Sequence, residues 1–280
     1  MSRVIGGFGI SHTPSMGMAY DKGMAEGFDP TWQKWHDGTR RLKHWLEEKK
    51  PDRMVIVYND HLNHFDFDAY PTIAIGVAPE FRQADEGWGL RPFPSLVGDV
   101  DLGWHLTNRL VRGGFDLTVC QDLAIDHGIY SWMPYVMETP WATPIVPLAI
   151  NMVRHPIPTS ERLHGLGKAI RAAVEDDGRD DRVAVVSTGG MSHQISGARF
   201  GIANETLDEW FLSKIGGDVD ELIALPQEEL MRLGGTEAAE LALWFSMRGA
   251  LSDDISEVYR YYTFPAITGC GVIVFDDKAA

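Results

Sequence analysis

Four histidines stand where apolar runs break into polar turns. His12 follows Val4–Ile10 in SHTP, and His61 follows Arg53–Tyr58 in VYNDH. His127 comes shortly after Leu117–Cys120 in DHG, and His193 follows Val183–Ser187 in TGGMSH. Ligand groups of α/β sheets gather just beyond strand ends. Four imidazoles in similar settings therefore point to one shared site. Imidazole suits zinc, iron, copper or nickel. Two histidines and one carboxylate on one face of a metal leave positions open for substrate and O2, as in non-haem Fe(II) oxygenases. A histidine is also the natural proton carrier near neutral pH. His36, His44, His105, His155 and His164 fall within or beside expected helices and loops and are read as structural.

The metal reading needs a carboxylate, and TEAAELALWFSMRGAL offers Glu237 and Glu240. Glu240 has Leu243, Trp244 and Met247 at i+3, i+4 and i+7, which puts it in an apolar stripe that should face the core. A buried carboxylate is costly unless it is paired or holds a cation. Glu237, near the expected helix start, can stay wet. Glu240 is the better ligand candidate, with an arginine or a backbone donor as the other partner it could have. Asp60 and Asp126 each precede one of the histidines. They read equally as acceptors that fix a ring tautomer and as turn formers. The HFD at His64–Asp66 matches the pair used by cupin-type iron oxygenases. That arrangement belongs to jelly-roll barrels, so it is set aside. No His-Glu-x-x-His or Gly-x-Ser-x-Gly motif occurs, and GGFG lacks the spacing of a dinucleotide fingerprint.

These residues need strands and helices to bring them together. Val4–Ile10, Arg53–Tyr58, Thr72–Val77, Leu117–Cys120, Ile145–Ile150, Val183–Ser187 and Gly271–Phe275 read as buried strands. Thr31–Lys49, Leu102–Arg112, Ser160–Glu175, Thr206–Lys214 and Thr236–Arg248 read as helices, with Ser160 a candidate cap. The alternation predicts an α/β fold, a central mixed sheet covered by helices on both faces, over one domain spanning 1–280. DEGWGLRPFPSLVGD, rich in Gly and Pro, is expected as an ordered surface loop, where sites often lie. The net charge of −15, without a basic cluster, argues against nucleic acid and anionic membranes. No run approaches a membrane span, no secretory leader is recognisable, and two cysteines suggest no disulfide framework, so a cytoplasmic protein is expected.

With these motifs in view, the chain resembles the class III (LigB-type) extradiol ring-cleavage dioxygenases, most closely the catalytic β subunits of the protocatechuate 4,5-dioxygenase type. SHTP, VYNDH, PTIAIG, ADEGWGLRPFP, DHG, TGGMSHQISG and GTEAAELALWFSMRGAL match in order and approximate spacing over nearly the whole chain. The resemblance implies His12, His61 and Glu240 as Fe(II) ligands, with O2 as co-substrate. His193 would be the acid–base residue, and His127 would contact the substrate hydroxyl or the bound oxygen. It also implies ring cleavage beside the diol of a catecholic acid such as protocatechuate, with gallate and 3-O-methylgallate as alternatives. Thr13 and Thr268 are candidate substrate contacts, and Ile267 stands where a small polar residue is expected. A separate small α subunit and oligomerisation are expected partners. A zinc hydrolase or a binding protein on the same scaffold are the other two readings. The chain stops soon after its last strand, in CGVIVFDDKAA, without the longer tail of the nearest relatives.

Overall fold

The structure is a computed structural model that describes all 280 residues. Its strands are β1 (Arg3–Ile10), β2 (Arg53–Tyr58), β3 (Ile73–Gly76), β4 (Glu80–Phe81), β5 (Leu96–Val97), β6 (Thr118–Cys120), β7 (Ile145–Ile150), β8 (Arg182–Thr188), β9 (Ile255–Thr263) and β10 (Cys270–Asp277). The helices are α1 (Pro14–Glu26), α2 (Pro30–Lys49), α3 (Val100–Arg112), α4 (His127–Tyr130), α5 (Met133–Val136), α6 (Ser160–Glu175), α7 (Glu205–Lys214), α8 (Asp220–Ile223), α9 (Gln227–Gly234) and α10 (Trp244–Ala250). Eight strands form one mixed sheet in the order β6-β3-β7-β2-β8-β1-β10-β9, and β4 pairs with β5 apart from it.

The centre of the sheet, β7-β2-β8-β1, is parallel. Its strands are near-continuous apolar runs because both faces are covered. Alternate residues serve opposite faces. On β2, Val55 and Val57 join the core beneath α3, α6 and α10, while Met54, Ile56 and Tyr58 join the one beneath α2 and α5. The α/β expectation holds, with helices on both faces. No helix is long and apolar enough to cross a membrane.

Local chemistry sets the helix ends. Asp29 accepts from the N–H groups of Thr31 and Trp32 at 2.9 and 3.1 Å and starts α2, with Pro30 at its first position. Thr159, not Ser160, caps α6, accepting from Arg162 N–H at 3.2 Å; Ser160 is the first helical residue and is buried. Among the elements of eight residues or more, the sequence reading missed α1, α9 and β9. In α1 the buried positions are Met16, Gly17 and Gly23, too small and too sparse for an apolar period. Charged residues such as Glu257 and Arg260 interrupt β9, as suits an edge strand.

The expected helix Thr236–Arg248 is two pieces: a 3₁₀ stretch over Thr236–Leu243, then α10. Every residue from Ala238 to Ala250 is buried, so there is no wet face opposite an apolar stripe. The segment is seated on β1. At Gly9 a Cβ would stand 2.3 Å from the Trp244 ring, so the strand must be bare there for Trp244 to lie on it. GGFG therefore does packing work, and it lets the segment carrying Glu240 come down directly onto the sheet.

Candidate active site

The parallel strands end on one side of the sheet, and three of the four histidines arrive there directly. His12 lies two residues beyond β1, His61 three beyond β2 and His193 five beyond β8. The fourth comes another way. β6 is parallel to β3, which is antiparallel to β7, so β6 runs away from the site. The chain turns back, pairs Ile125 with Gln83, and presents His127 as the first residue of α4. His127 is thus not at a strand end as the sequence suggests; Asp126, accepting from Gly128 N–H at 2.8 Å, starts the helix that carries it.

Three donors converge. His12 Nε2 is 3.4 Å from Glu240 Oε2, and His61 Nε2 is 3.5 Å from Glu240 Oε1. Ligand atoms bound to a first-row divalent metal at about 2.1 Å sit about 3.0–3.4 Å apart, so each of these two distances is close to that of neighbouring ligands on a cation. His12 Nε2 is buried and has no hydrogen-bond partner. A lone pair so placed, beside a buried carboxylate, fits a metal better than a packed core. The Asn59 amide spans the same pair, with its nitrogen 2.9 Å from His61 Nε2 and donating to Glu240 Oε1 at 3.1 Å. Gly190 N–H donates to Glu240 Oε2 at 2.6 Å. The sequence reading of Glu240 as buried is right, although the helical stripe that suggested it is absent.

Each imidazole is oriented from behind. His12 Nδ1 hydrogen-bonds Thr188 Oγ1 at 2.8 Å. His61 donates its ring Nδ1–H to Asp126 Oδ2 at 3.0 Å, and its backbone N–H to the same oxygen at 2.7 Å. The two aspartates read together from sequence divide. Asp126 fixes a ring, but that of His61 rather than its own neighbour. Asp60 accepts from the N–H groups of Asn63, His64 and Phe65 and is a turn residue. Burial holds His12 down to about 4, only partly opposed by Glu240. Burial also works against a charged His61, but Asp126 and Glu240 outweigh it and raise it to about 10. Desolvation would raise Glu240, yet His12 and His61 hold it well below the usual carboxylate range.

His193 is set by its own loop. Its Nδ1–H donates to the Met191 carbonyl at 2.8 Å. A carbonyl can only accept, so Nε2 keeps the lone pair and the ring is ready to take a proton. Gly190 is bare because a Cβ would stand 2.4 Å from the His193 ring. Asp208, unnoticed in the sequence, accepts from Ser192 N–H, Ser192 Oγ–H and Tyr262 O–H at 2.9, 2.6 and 2.8 Å and braces the turn from below. His193 also pairs by a backbone bridge with Thr268.

His12, His61, His127, His193 and Glu240 line one cavity of about 560 Å³. Thr13 and Thr268 line it too, with Ile267 beside them. The His127 ring leans on that of His61, with centroids 3.9 Å apart. Its ligand atom falls within 4.8 Å of those of His12 and His61, whereas Glu240 approaches these two through different oxygens, Oε2 toward His12 and Oε1 toward His61. Glu86 was missed as a residue, although it lies in the Gly- and Pro-rich loop singled out for function. It contacts His127 through both carboxylate oxygens.

Comparison with known proteins places the chain in a family. Residues 6–273 match the family described as the catalytic LigB subunit of aromatic ring-opening dioxygenase. A gallate dioxygenase of Pseudomonas putida is 36% identical over 197 residues, 70% of this chain and 58% of that protein. A 2,3-dihydroxyphenylpropionate/2,3-dihydroxicinnamic acid 1,2-dioxygenase, also of Pseudomonas putida, is 28% identical over 66% of this chain and 55% of its own length. The chain thus spans less than two thirds of the curated relatives it matches. The crystal structure of an uncharacterized protein from Escherichia coli K12 shares the fold, with a TM-score of 0.57 at 14% identity, covering 96% of this chain and 99% of that one. With the match running almost from end to end, the chain belongs to the LigB family of catalytic subunits of aromatic ring-opening dioxygenases.

Proposed function

We propose that the chain is an Fe(II)-dependent extradiol dioxygenase acting as one catalytic domain, opening a catecholic ring beside its diol with O2. The observation that carries this is the meeting of His12, His61 and Glu240 on the wall of a cavity that also presents His193 with a free Nε2. His12, His61 and Glu240 would hold the metal. When bound, Fe(II) supplies the positive charge that acidifies the diol and the route by which ring electrons reach O2. His193 Nε2 accepts the proton of one catechol hydroxyl and later returns it to oxygen. His127, which lines the same cavity, contacts the substrate hydroxyl.

The substrate reading moves from protocatechuate to gallate, because the gallate dioxygenase relative supports that alternative better. Thr13 and Thr268 would hold the ring substituent. The proposal includes a cytoplasmic location and a separate small subunit over the mouth, where Met18 and Ile195 line the cavity and are largely exposed. Full turnover by the chain purified alone would remove that subunit from the account. The test of the activity is O2 uptake by anaerobically prepared, Fe(II)-loaded protein with gallate and protocatechuate in parallel. Uptake matched by a ring-opened product, faster with gallate, is expected. Bound iron with no uptake from either catechol would overturn the reading.

A further inference from the structure

We propose that Glu86 is the positioning residue that fixes the tautomer and orientation of His127; its bearing on turnover rests on the functional reading above. Glu86 Oε1 accepts from the backbone N–H of His127 at 2.9 Å, and Oε2 lies 2.5 Å from ring Nδ1. Both side chains are buried, about one tenth exposed or less. An ionised carboxylate only accepts. The ring must therefore carry its proton on Nδ1, which leaves Nε2 as the nitrogen for the reaction. The peptide N–H locks the carboxylate in place, so the ring cannot turn without losing a short charge-assisted bond. The His61 ring supports the imidazole on its other side.

The loop that delivers Glu86 is fastened rather than free. Asp85 Oδ1 accepts from the N–H groups of Gly87 and Gly89 at 2.9 and 3.0 Å. Arg91 donates to both oxygens of Asp21 on α1 at 2.7 and 2.9 Å, and to the carbonyls of Gly17 and Tyr130. Glu86, Asp126 and His127 together have the spacing of a second metal group. Their bonds assign them otherwise: Glu86 is committed to two N–H groups of His127, and Asp126 to His61, Asn63 and Gly128.

Glu86→Gln tests this by tautomer. Gln offers one acceptor and one donor group. The backbone N–H of His127 can only donate, so the amide oxygen must turn to it. The NH2 then faces Nδ1, and the ring proton has to move to Nε2. Glu86→Asp keeps two acceptors. In metal-free protein carrying ¹⁵N-histidine, the wild-type His127 signal (assigned by its loss in His127→Gln) should report a protonated Nδ1. It should switch to protonated Nε2 in Glu86→Gln and stay in Glu86→Asp. In Fe(II)-loaded protein, Glu86→Gln should lower kcat roughly ten- to a hundredfold, the usual cost of losing a partner that orients a site histidine, with KM within about threefold. Glu86→Asp should recover most of that loss. A wild-type His127 protonated at Nε2, an unchanged tautomer in Glu86→Gln, or equal losses in both variants would overturn the proposal. If the wild type turns over no catechol, the functional reading fails, while the spectrum of the metal-free protein still decides where Glu86 acts.

Discussion

One oxygen of Asp126, Oδ2, receives both the backbone N–H and the ring Nδ1–H of His61, a residue 65 positions away in sequence. The ring is thereby held as the tautomer whose Nε2 meets Glu240. Burial alone would raise the Asp126 carboxyl; the imidazoles of His61 and His127 overturn that and keep it well below the ordinary range. Asn at 126 has one acceptor oxygen, whereas Oδ1 must also receive Gly128 N–H. Asp126→Asn should weaken Fe(II) binding roughly ten- to a hundredfold. A chelator competition titration under anaerobic conditions reads this, and wild-type affinity in a folded variant would count against it.

His193 and the proposed metal ligands should separate in experiment. The His193 ring is set by the Met191 carbonyl, whereas Glu240 is held by Asn59 and Gly190. His193→Gln is expected to bind Fe(II) normally and lose about 10²–10⁴ in kcat, the range of general acid–base catalysis. Glu240→Gln should lose the metal first. Metal content and O2 uptake, measured on the same samples, tell the two apart.

Much of this was legible before the structure because strand ends and chemistry coincide along the chain. His12, His61 and His193 each follow an all-apolar run, and the fold brings those run ends side by side. Glu240 was legible only as a costly charge among apolar residues; its 3₁₀ backbone was not, because a segment buried on every side from Ala238 to Ala250 carries no amphipathic period to read. Glu86 and the pairing of Asp126 with His61 were illegible for another reason. Both depend on the reversed direction of β6 and the return of residues 121–125, which periodicity does not encode. The caps were less legible: Thr31–Lys49 and Ser160–Glu175 mark the helices, while Asp29 and Thr159, which accept their first N–H groups, stand just before those runs.

Gly9 offers a mechanical test. A Cβ there would meet the Trp244 ring at 2.3 Å, on a residue buried from every side. Gly9→Ala must push Trp244 outward, and overpacking of this kind costs about 1–3 kcal/mol. Urea unfolding should show that loss. Because Glu240 is four residues before Trp244, Fe(II) affinity should fall with it. Unchanged stability would mean that the segment is not seated on β1 as described.

His164 predicts part of the response to acid. Burial, then Lys168 and Arg248, hold its imidazole down to about 4, against an ordinary value of 6.5. The folded state therefore resists protonation more than the unfolded chain does. Its contribution to stability is fully present above 6.5 and is lost as pH falls from 6.5 through about 4. His164→Gln removes the titration. The difference in unfolding midpoint between wild type and variant should change across that window and stay constant above pH 7; a difference that is flat from pH 7 to 4 would contradict the assignment.

The cavity itself argues about the ring substituent. No lysine or arginine lines it, whereas Glu237 does, beside Ile195, Ala266 and Ile267. The whole chain adds a net charge of −15. A carboxylate entering there finds hydroxyls from Thr13, Ser15 and Thr268 but no cation, and two like charges in a partly wet site repel by about 1 kcal/mol. Methyl gallate should therefore match or exceed gallate in kcat/KM. Glu237→Gln should raise kcat/KM for gallate about three- to tenfold while leaving its methyl ester nearly unchanged. If gallate is instead preferred over the ester by more than tenfold, the carboxylate is met by a cation from outside this chain, at the mouth where Met18 and Ile195 are exposed.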